Sequence, residues 1–246
     1  IPVEGVDIVI AMDVSRSMEA EDLKPNRLEA AKRAAQAFVA ARPTDRIGLV
    51  VYSGESVTAC PPTTQHGLLQ NVIRSVDYQN LEDGTAIGLG LANAVNRLKT
   101  SRVKSKVIVL LTDGENNAGF VAPETAAEMA RRFKIKVYTI GVGKTGLAPF
   151  PIRRTDGSVA YQQVPFSINE TLLRQIAAQT GGQFFRADSR ESLQGIYSQI
   201  DALEKSKLKE KIQYSHKEIF EPFVWWALAL LSAEILLRYS VFRSVF

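Results

Sequence analysis

Cysteine and histidine are nearly absent from this chain of 246 residues, which has one cysteine, Cys60, and two histidines, His66 and His216. A lone cysteine excludes an internal disulfide, and two histidines so far apart argue against a zinc or iron site built on imidazoles. Cys60 reads instead as a small apolar filler. No basic stripe interleaved with aromatics occurs, and charges of both signs alternate to a net of only +4, so nucleic-acid binding finds no support. Neither an initiator methionine nor a leader-like segment precedes the first strand, which reads as a processed or truncated piece. With 46% apolar residues, the chain is long enough for one large α/β domain with a real core.

The pattern turns on Val6 to Ser17, VDIVIAMDVSRS, where a nearly continuous apolar run ends abruptly in Asp13-Val14-Ser15-Arg16-Ser17. Such a run suits a central parallel strand buried on both faces, and ligands of open α/β sheets bind outside the carboxyl ends of these strands. The D-x-S-x-S spacing therefore sets one carboxylate and two hydroxyls where a hard cation could sit. Two later stretches end alike: Asp83-Gly84-Thr85 opens a helix, and Val107 to Gly114 (VIVLLTDG) is a second buried strand ending in Asp113.

In chain order, Asn26 is the expected N-cap of a helix with Leu28, Ala31, Ala35, Phe38 and Val39 on one face. Arg46 to Tyr52 reads as a strand, Ser53 to Thr58 as a short edge strand, and Pro61-Pro62-Thr63-Thr64 as a loop that breaks regular structure. Helices are expected over Gly67 to Val76, after Thr85, from about Pro123, and over Leu172 to Thr180, the last stopped by Gly181-Gly182. Further strands fall at Lys136 to Val142 and Gln183 to Ala187, and a final helix carries Leu193, Ile196, Ile200 and Leu203. Pro151 to Pro165 reads as an inserted hairpin turning at Asp156-Gly157. Strands alternating with amphipathic helices predict a doubly wound, mainly parallel, Rossmann-like sheet. A glycine-rich stretch, Gly141 to Gly146, matches G-x-G-x-x-G. It lacks the glycine a Walker motif needs at Tyr138, and Pro149 and Pro151 oppose the helix both motifs require, so no nucleotide site is expected.

Lys205 to Glu218 reads as a charged connector, and Phe223 to Leu237 is apolar apart from Ser232 and Glu234. At 1.5 Å per residue that run covers only about 22 Å. Extended over 219–242, with Glu221 and Arg238 snorkelling and Trp225, Trp226 and Tyr239 in the interfacial belts, it is expected to span a bilayer. A buried or interfacial helix is the competing reading. Glu234 either pairs with Arg238 at i+4 or faces another membrane helix.

The triple of D-x-S-x-S, loop threonine and T-D-G resembles the metal-ion-dependent adhesion site of von Willebrand factor A (vWA) domains, over Asp7 to about Leu203. The wording EDLKPNRLEAAK, DRIGLVVYSGE, EDGTAIGLGLANAVNRLK and KSKVIVLLTDGENNAG resembles the Bat (aerotolerance) branch, in particular BatA-like proteins. The resemblance implies a bacterial protein with an A domain over residues 1–204, an inserted hairpin near 147–167, the connector at 205–218, the membrane helix at 219–242 and a tail at 243–246. It implies Mg²⁺ or Mn²⁺ held by Asp13, Ser15, Ser17, Thr85 and Asp113, the two carboxylates acting mostly through water. One coordination position is then left for an acidic residue of a partner protein.

Arg16 is expected to meet either that partner's carboxylate or simply Glu19. Glu115 belongs to the rim and is a candidate partner contact. The implied associates are other Bat-type proteins and a MoxR-type AAA+ ATPase, in the bacterial inner membrane. Lysines before the span and arginines after it favour a cytoplasmic domain; the loop between two further membrane helices, which BatA-like proteins carry before the A domain, favours a periplasmic one. The rival to a binding module is a Mg²⁺-dependent phosphohydrolase, which needs an activated nucleophile that the serines lack by themselves. A sheet-end hydrogen-bond network without metal is the simplest alternative to either. Two converging carboxylates without a cation would repel.

Overall fold

A computed structural model of the chain describes residues 5–78, 81–103, 105–154, 157–213 and 221–240, the side chains of 205–213, 221–222 and 236–240 excepted. The first strand, β1 (Asp7–Asp13), is buried along its whole length. It lies at the middle of a six-stranded sheet whose other strands are β2 (Arg46–Tyr52), β3 (Ser56–Thr63), β4 (Lys106–Thr112), β5 (Lys136–Val142) and β8 (Phe184–Ala187). The order is β3-β2-β1-β4-β5-β8, and all pairings are parallel except β2 with β3. β1 and β4 are adjacent, Met12 opposite Leu111, so the two carboxyl ends that carry Asp13 and Asp113 emerge side by side.

Helices cover both faces, as continuous apolar strands demand. They are α1 (Arg27–Ala40), α2 (His66–Ser75), α3 (Ile87–Leu98), α4 (Pro123–Arg132), α5 (Glu170–Thr180) and α6 (Arg190–Gln213). Asn26 caps α1 by accepting the Glu29 N–H at 2.8 Å, and Gly181 ends α5 with φ 75°, a left-handed conformation that glycine adopts without strain. One core cluster joins Val9, Ala11, Val50, Ile108 and Leu110 of the sheet to Leu91, Val95, Ala126 and Ile176 of α3, α4 and α5.

Three expectations need correction. Pro61 and Pro62 do not break regular structure: β3 runs through both, because an edge strand leaves one row of N–H positions unpaired and tolerates proline there. The charged connector is helical at its start, since α6 continues to Gln213 through lysine, glutamate and leucine, all good helix formers; residues 214–220 lie outside the described residues. The expected membrane span is not met as a single helix. The helix α7 (Glu221–Ser240) includes Glu221, Glu234 and Arg238, and among the described residues no helix is long and apolar enough to cross a membrane. The ends of the expected span, 219–220 and 241–242, lie outside the described residues.

The chain divides into two compact units, Ile1–Ile200 and Asp201–Phe246. In the second, Phe223, Trp225, Trp226 and Leu230 of α7 are exposed, as is Glu234. In the first, the inserted hairpin pairs β6 (Gly146–Arg153) with β7 (Val159–Phe166), Gly146 opposite Phe166 and Arg153 opposite Val159. β6 follows Gly143 to Thr145 directly, so the helix a nucleotide loop would need is replaced by a strand.

Candidate metal centre

The site is built at the carboxyl ends of β1 and β4. Asp13 and Asp113 are both fully buried. Asp13 Oδ1 accepts the Ser15 N–H at 2.9 Å, and its Oδ2 accepts the Thr112 hydroxyl at 2.7 Å. The chain then turns through a short 3-10 segment (Arg16–Glu19), which brings Ser15 Oγ and Ser17 Oγ to 2.9 Å of each other. Ser17 Oγ donates to Asp113 Oδ1 at 2.7 Å. Four of the five expected ligands thus form one hydrogen-bonded cluster. The fifth, Thr85, lies before α3, its backbone tied to the loop after β4: Thr85 N–H donates to Asn117 Oδ1 at 2.7 Å and Asn117 N–H to the Thr85 carbonyl at 3.0 Å. Ser15, Ser17 and Thr85 line one pocket of about 380 Å³.

The electrostatics hinge on a residue the sequence analysis passed over. Arg27 is fully buried and donates to Asp113 Oδ2 at 2.9 Å and to both oxygens of Asp22, at 2.7 and 2.8 Å. Its guanidinium lies 4.5 Å from the centroid of the Phe166 ring, over its face. Gly143, with φ 108°, lies so close that a Cβ there would strike the guanidinium. The Lys144 N–H donates to Asp22 Oδ2 at 2.7 Å, so the former nucleotide-like stretch is the brace of this ion-pair triad. One signal in the sequence pointed to Arg27. A cation in the first turn of a helix opposes the helix dipole and calls for carboxylates nearby.

One guanidinium among Asp13, Asp22 and Asp113 leaves an excess of negative charge. Burial first, and then the charge of Asp113, pushes the Asp13 carboxyl up to about 7. Burial also raises Asp113, against the pull of Arg27. For Asp22 burial is the largest single influence, but the Arg27 hydrogen bonds, the Lys144 N–H and the Arg27 charge together outweigh it and hold the carboxyl low. Tyr52, whose hydroxyl donates to the Leu111 carbonyl at 2.7 Å, is raised by burial and then by the Asp13 charge.

Among the described residues no group of three or more His, Cys, Asp or Glu side chains gathers in metal-binding fashion. The donor set is instead two carboxylates and three hydroxyls. All are hard oxygens of the kind Mg²⁺ prefers, and the mutual hydrogen bonds of Ser15, Ser17 and Asp113 are ones a cation can replace. The residues fit the ion. Of the other candidates, Arg16 Nε lies 3.7 Å from Glu19 Oε2 and its guanidinium 6.0 Å from the centroid of the Phe150 ring. Glu115 accepts the Ser167 hydroxyl at 3.2 Å and lines a different, neighbouring pocket. Arg238, the expected partner of Glu234, has its side chain outside the described ones.

A model of the von Willebrand factor type A domain matches residues 7–199. A crystal structure described as an aerotolerance-related membrane protein from Bacteroides fragilis is 31% identical, with a TM-score of 0.65 over 79% of this chain and 98% of that one. BatB from Bacteroides thetaiotaomicron is 30% identical, with a TM-score of 0.67 over 82% of this chain and 100% of that one. The chain is a Bat-type vWA protein. A UPF0353 protein of Nocardia farcinica is 31% identical over 217 residues, covering 82% of this chain and 64% of the relative. A Borreliella burgdorferi protein is 29% identical over 98% of this chain and 70% of its own length. The presence of a BatB among these relatives sets the membership at the Bat type as a whole rather than at its BatA-like members. The mussel proximal thread matrix protein, described with a zinc-occupied MIDAS motif, shares the fold at 20% identity.

Proposed function

We propose that this Bat-type vWA domain holds one divalent cation, Mg²⁺ or Mn²⁺, at Asp13, Ser15, Ser17, Thr85 and Asp113, and uses its open coordination position to bind an acidic residue of a partner protein. The observation that carries this reading is the excess negative charge of two fully buried carboxylates directly behind three pocket hydroxyls. Asp113 shares one guanidinium with Asp22, and among the described residues Asp13 has none. A divalent cation neutralises that charge, and the pocket above it admits one outside ligand. Ser15 and Ser17 spend their hydrogen bonds on each other and on a carboxylate. That arrangement suits ligation and supports a binding module over a phosphohydrolase, which needs a base to activate a hydroxyl.

The Bacteroides fragilis relative, described as an aerotolerance-related membrane protein, supports action at a bacterial membrane. The inner membrane, a periplasmic A domain, and other Bat-type proteins and a MoxR-type ATPase as associates are the extension of this reading that the family resemblance suggests. The run of exposed large apolar side chains on α7, from Phe223 to Ile235, supports a membrane-facing second unit, since contiguous exposed apolar residues mark interaction or membrane surfaces. Isothermal calorimetry tests the core of the proposal. Mg²⁺ or Mn²⁺ should bind at a 1:1 ratio to the wild type and not to Asp13→Ala, and unchanged affinity in that variant refutes the site.

A further inference from the structure

The pocket over the metal centre has two unlike walls. On one side stand Asp83, Gly84, Thr85 and Asn117, all polar or small. On the other stands the β6–β7 hairpin, with Phe150 and Ile152 from β6 and Val164 and Phe166 from β7. These four share a face because strand residues alternate sides and directly opposed residues point the same way. Ala148 opposes Val164 and Gly146 opposes Phe166, so the even-numbered positions of both strands make one surface.

That surface is held in place from several directions. The Glu21 N–H donates to the Pro149 carbonyl at 2.9 Å, Arg153 Nη2 donates to the Tyr78 hydroxyl at 2.6 Å, and Phe150 and Phe166 lie with ring centroids 6.2 Å apart. All four wall side chains are only half-buried, so apolar area remains to be covered. A metal bound at this centre would thus face a braced hydrophobic wall, with the Arg16 cation on the rim beside Phe150.

Resting on the metal-site reading above, we propose that the occupant is an acidic peptide segment whose metal-bound carboxylate side chain adjoins a bulky apolar residue, the hairpin wall selecting that neighbour. The charge is complementary: the cation and Arg16 take the carboxylate, while Phe150, Ile152, Val164 and Phe166 take the neighbour. Asp83, Gly84, Thr85 and Asn117 offer it no comparable apolar surface. At about 380 Å³ the pocket is at the small end of ligand sites, suited to one or two side chains rather than to a folded surface.

The test is fluorescence anisotropy of short labelled peptides with the full chain, in Mg²⁺ and in chelator, with metal affinity measured separately by calorimetry. A peptide with Asp next to Leu should bind only with Mg²⁺, and about tenfold more tightly than one with Asp next to Ser, a factor equal to about 1.4 kcal/mol. An Asn-Leu peptide should not bind. Ile152→Ser and, independently, Val164→Ser should erase the preference for Leu while leaving metal affinity unchanged, which also reports that each variant is folded. Equal binding of the Asp-Leu and Asp-Ser peptides, or no binding of either by metal-loaded protein, overturns the proposal and leaves the metal site standing. Absence of metal binding in the wild type overturns both.

Discussion

Asp13→Asn should have opposite effects on the metal-free and metal-bound protein. Without metal, the Asp13 charge is buried beside Asp113, and its carboxyl is pushed from 3.8 up to about 7. At about 1.4 kcal/mol per pKa unit, ionising it in the folded state costs on the order of 4 kcal/mol as a ceiling. The sign follows from proton binding. Between about pH 4 and about pH 7 the folded chain holds a proton that the unfolded chain has lost, so metal-free stability falls as pH rises through that window and levels off above it.

Asparagine keeps the acceptor for the Ser15 N–H and removes the charge, while the Thr112 hydroxyl must turn from donating to accepting. That rearrangement, and relaxation around the site, reduce the gain to about 1–3 kcal/mol. The assay is urea denaturation in chelator across pH. Asp13→Asn should be more stable than wild type near pH 8 and converge with it near pH 4. Added Mg²⁺ should then stabilise the wild type, by about 2.7 kcal/mol at a hundredfold excess over Kd, and leave the variant unmoved. A variant equally destabilised at both ends of the pH range would refute the claim that this carboxylate is uncompensated.

Other perturbations separate the parts of the site. Arg27→Met strands Asp22 and Asp113 in the interior and should cost about 3–5 kcal/mol in urea denaturation with chelator; Mg²⁺ should recover part of that loss. Gly88→Ala places a methyl against the Val121 carbonyl and should cost about 1–3 kcal/mol through overpacking between α3 and the loop after β4, read as a lowered Tm. Tyr52→Phe removes the hydrogen bond to the Leu111 carbonyl and should cost about 1 kcal/mol in the same assay. Deleting residues 219–246 should leave an α/β circular dichroism spectrum and metal binding intact, because the sheet and site lie within Ile1–Ile200; aggregation or a lost spectrum refutes this.

The sheet was legible because its signal is local. Continuous apolar runs ending in Asp13 and Thr112-Asp113 identify central parallel strands, and their ends locate the site. Asn26 and Gly181 carry cap chemistry that depends on one residue's own preferences. What stayed hidden depends on position within the sheet or on contacts far along the chain. Pro61 and Pro62 look like breakers until β3 is known to be an edge strand. The helical run of α6 into the lysine-rich segment shows propensity prevailing where charge suggested a solvated connector.

Arg27 shows the same limit at the site itself. It meets Asp113 across 86 residues and touches Phe166 of the hairpin, and neither spacing has a motif. Yet its role follows from elementary electrostatics once the fold is known. Parallel strands of an open sheet deliver their terminal carboxylates to one edge, where β1 and β4 set Asp13 and Asp113 behind the same pocket. Water could screen such a pair at a surface, but both are fully buried here. A single buried arginine, shared between Asp22 and Asp113, lowers the repulsion, and a second one beside Asp13 would reduce the excess negative charge that favours a cation there. On the proposed reading, Arg27 holds the site together without metal and a cation stabilises it further, which a reversible metal-dependent binding site requires.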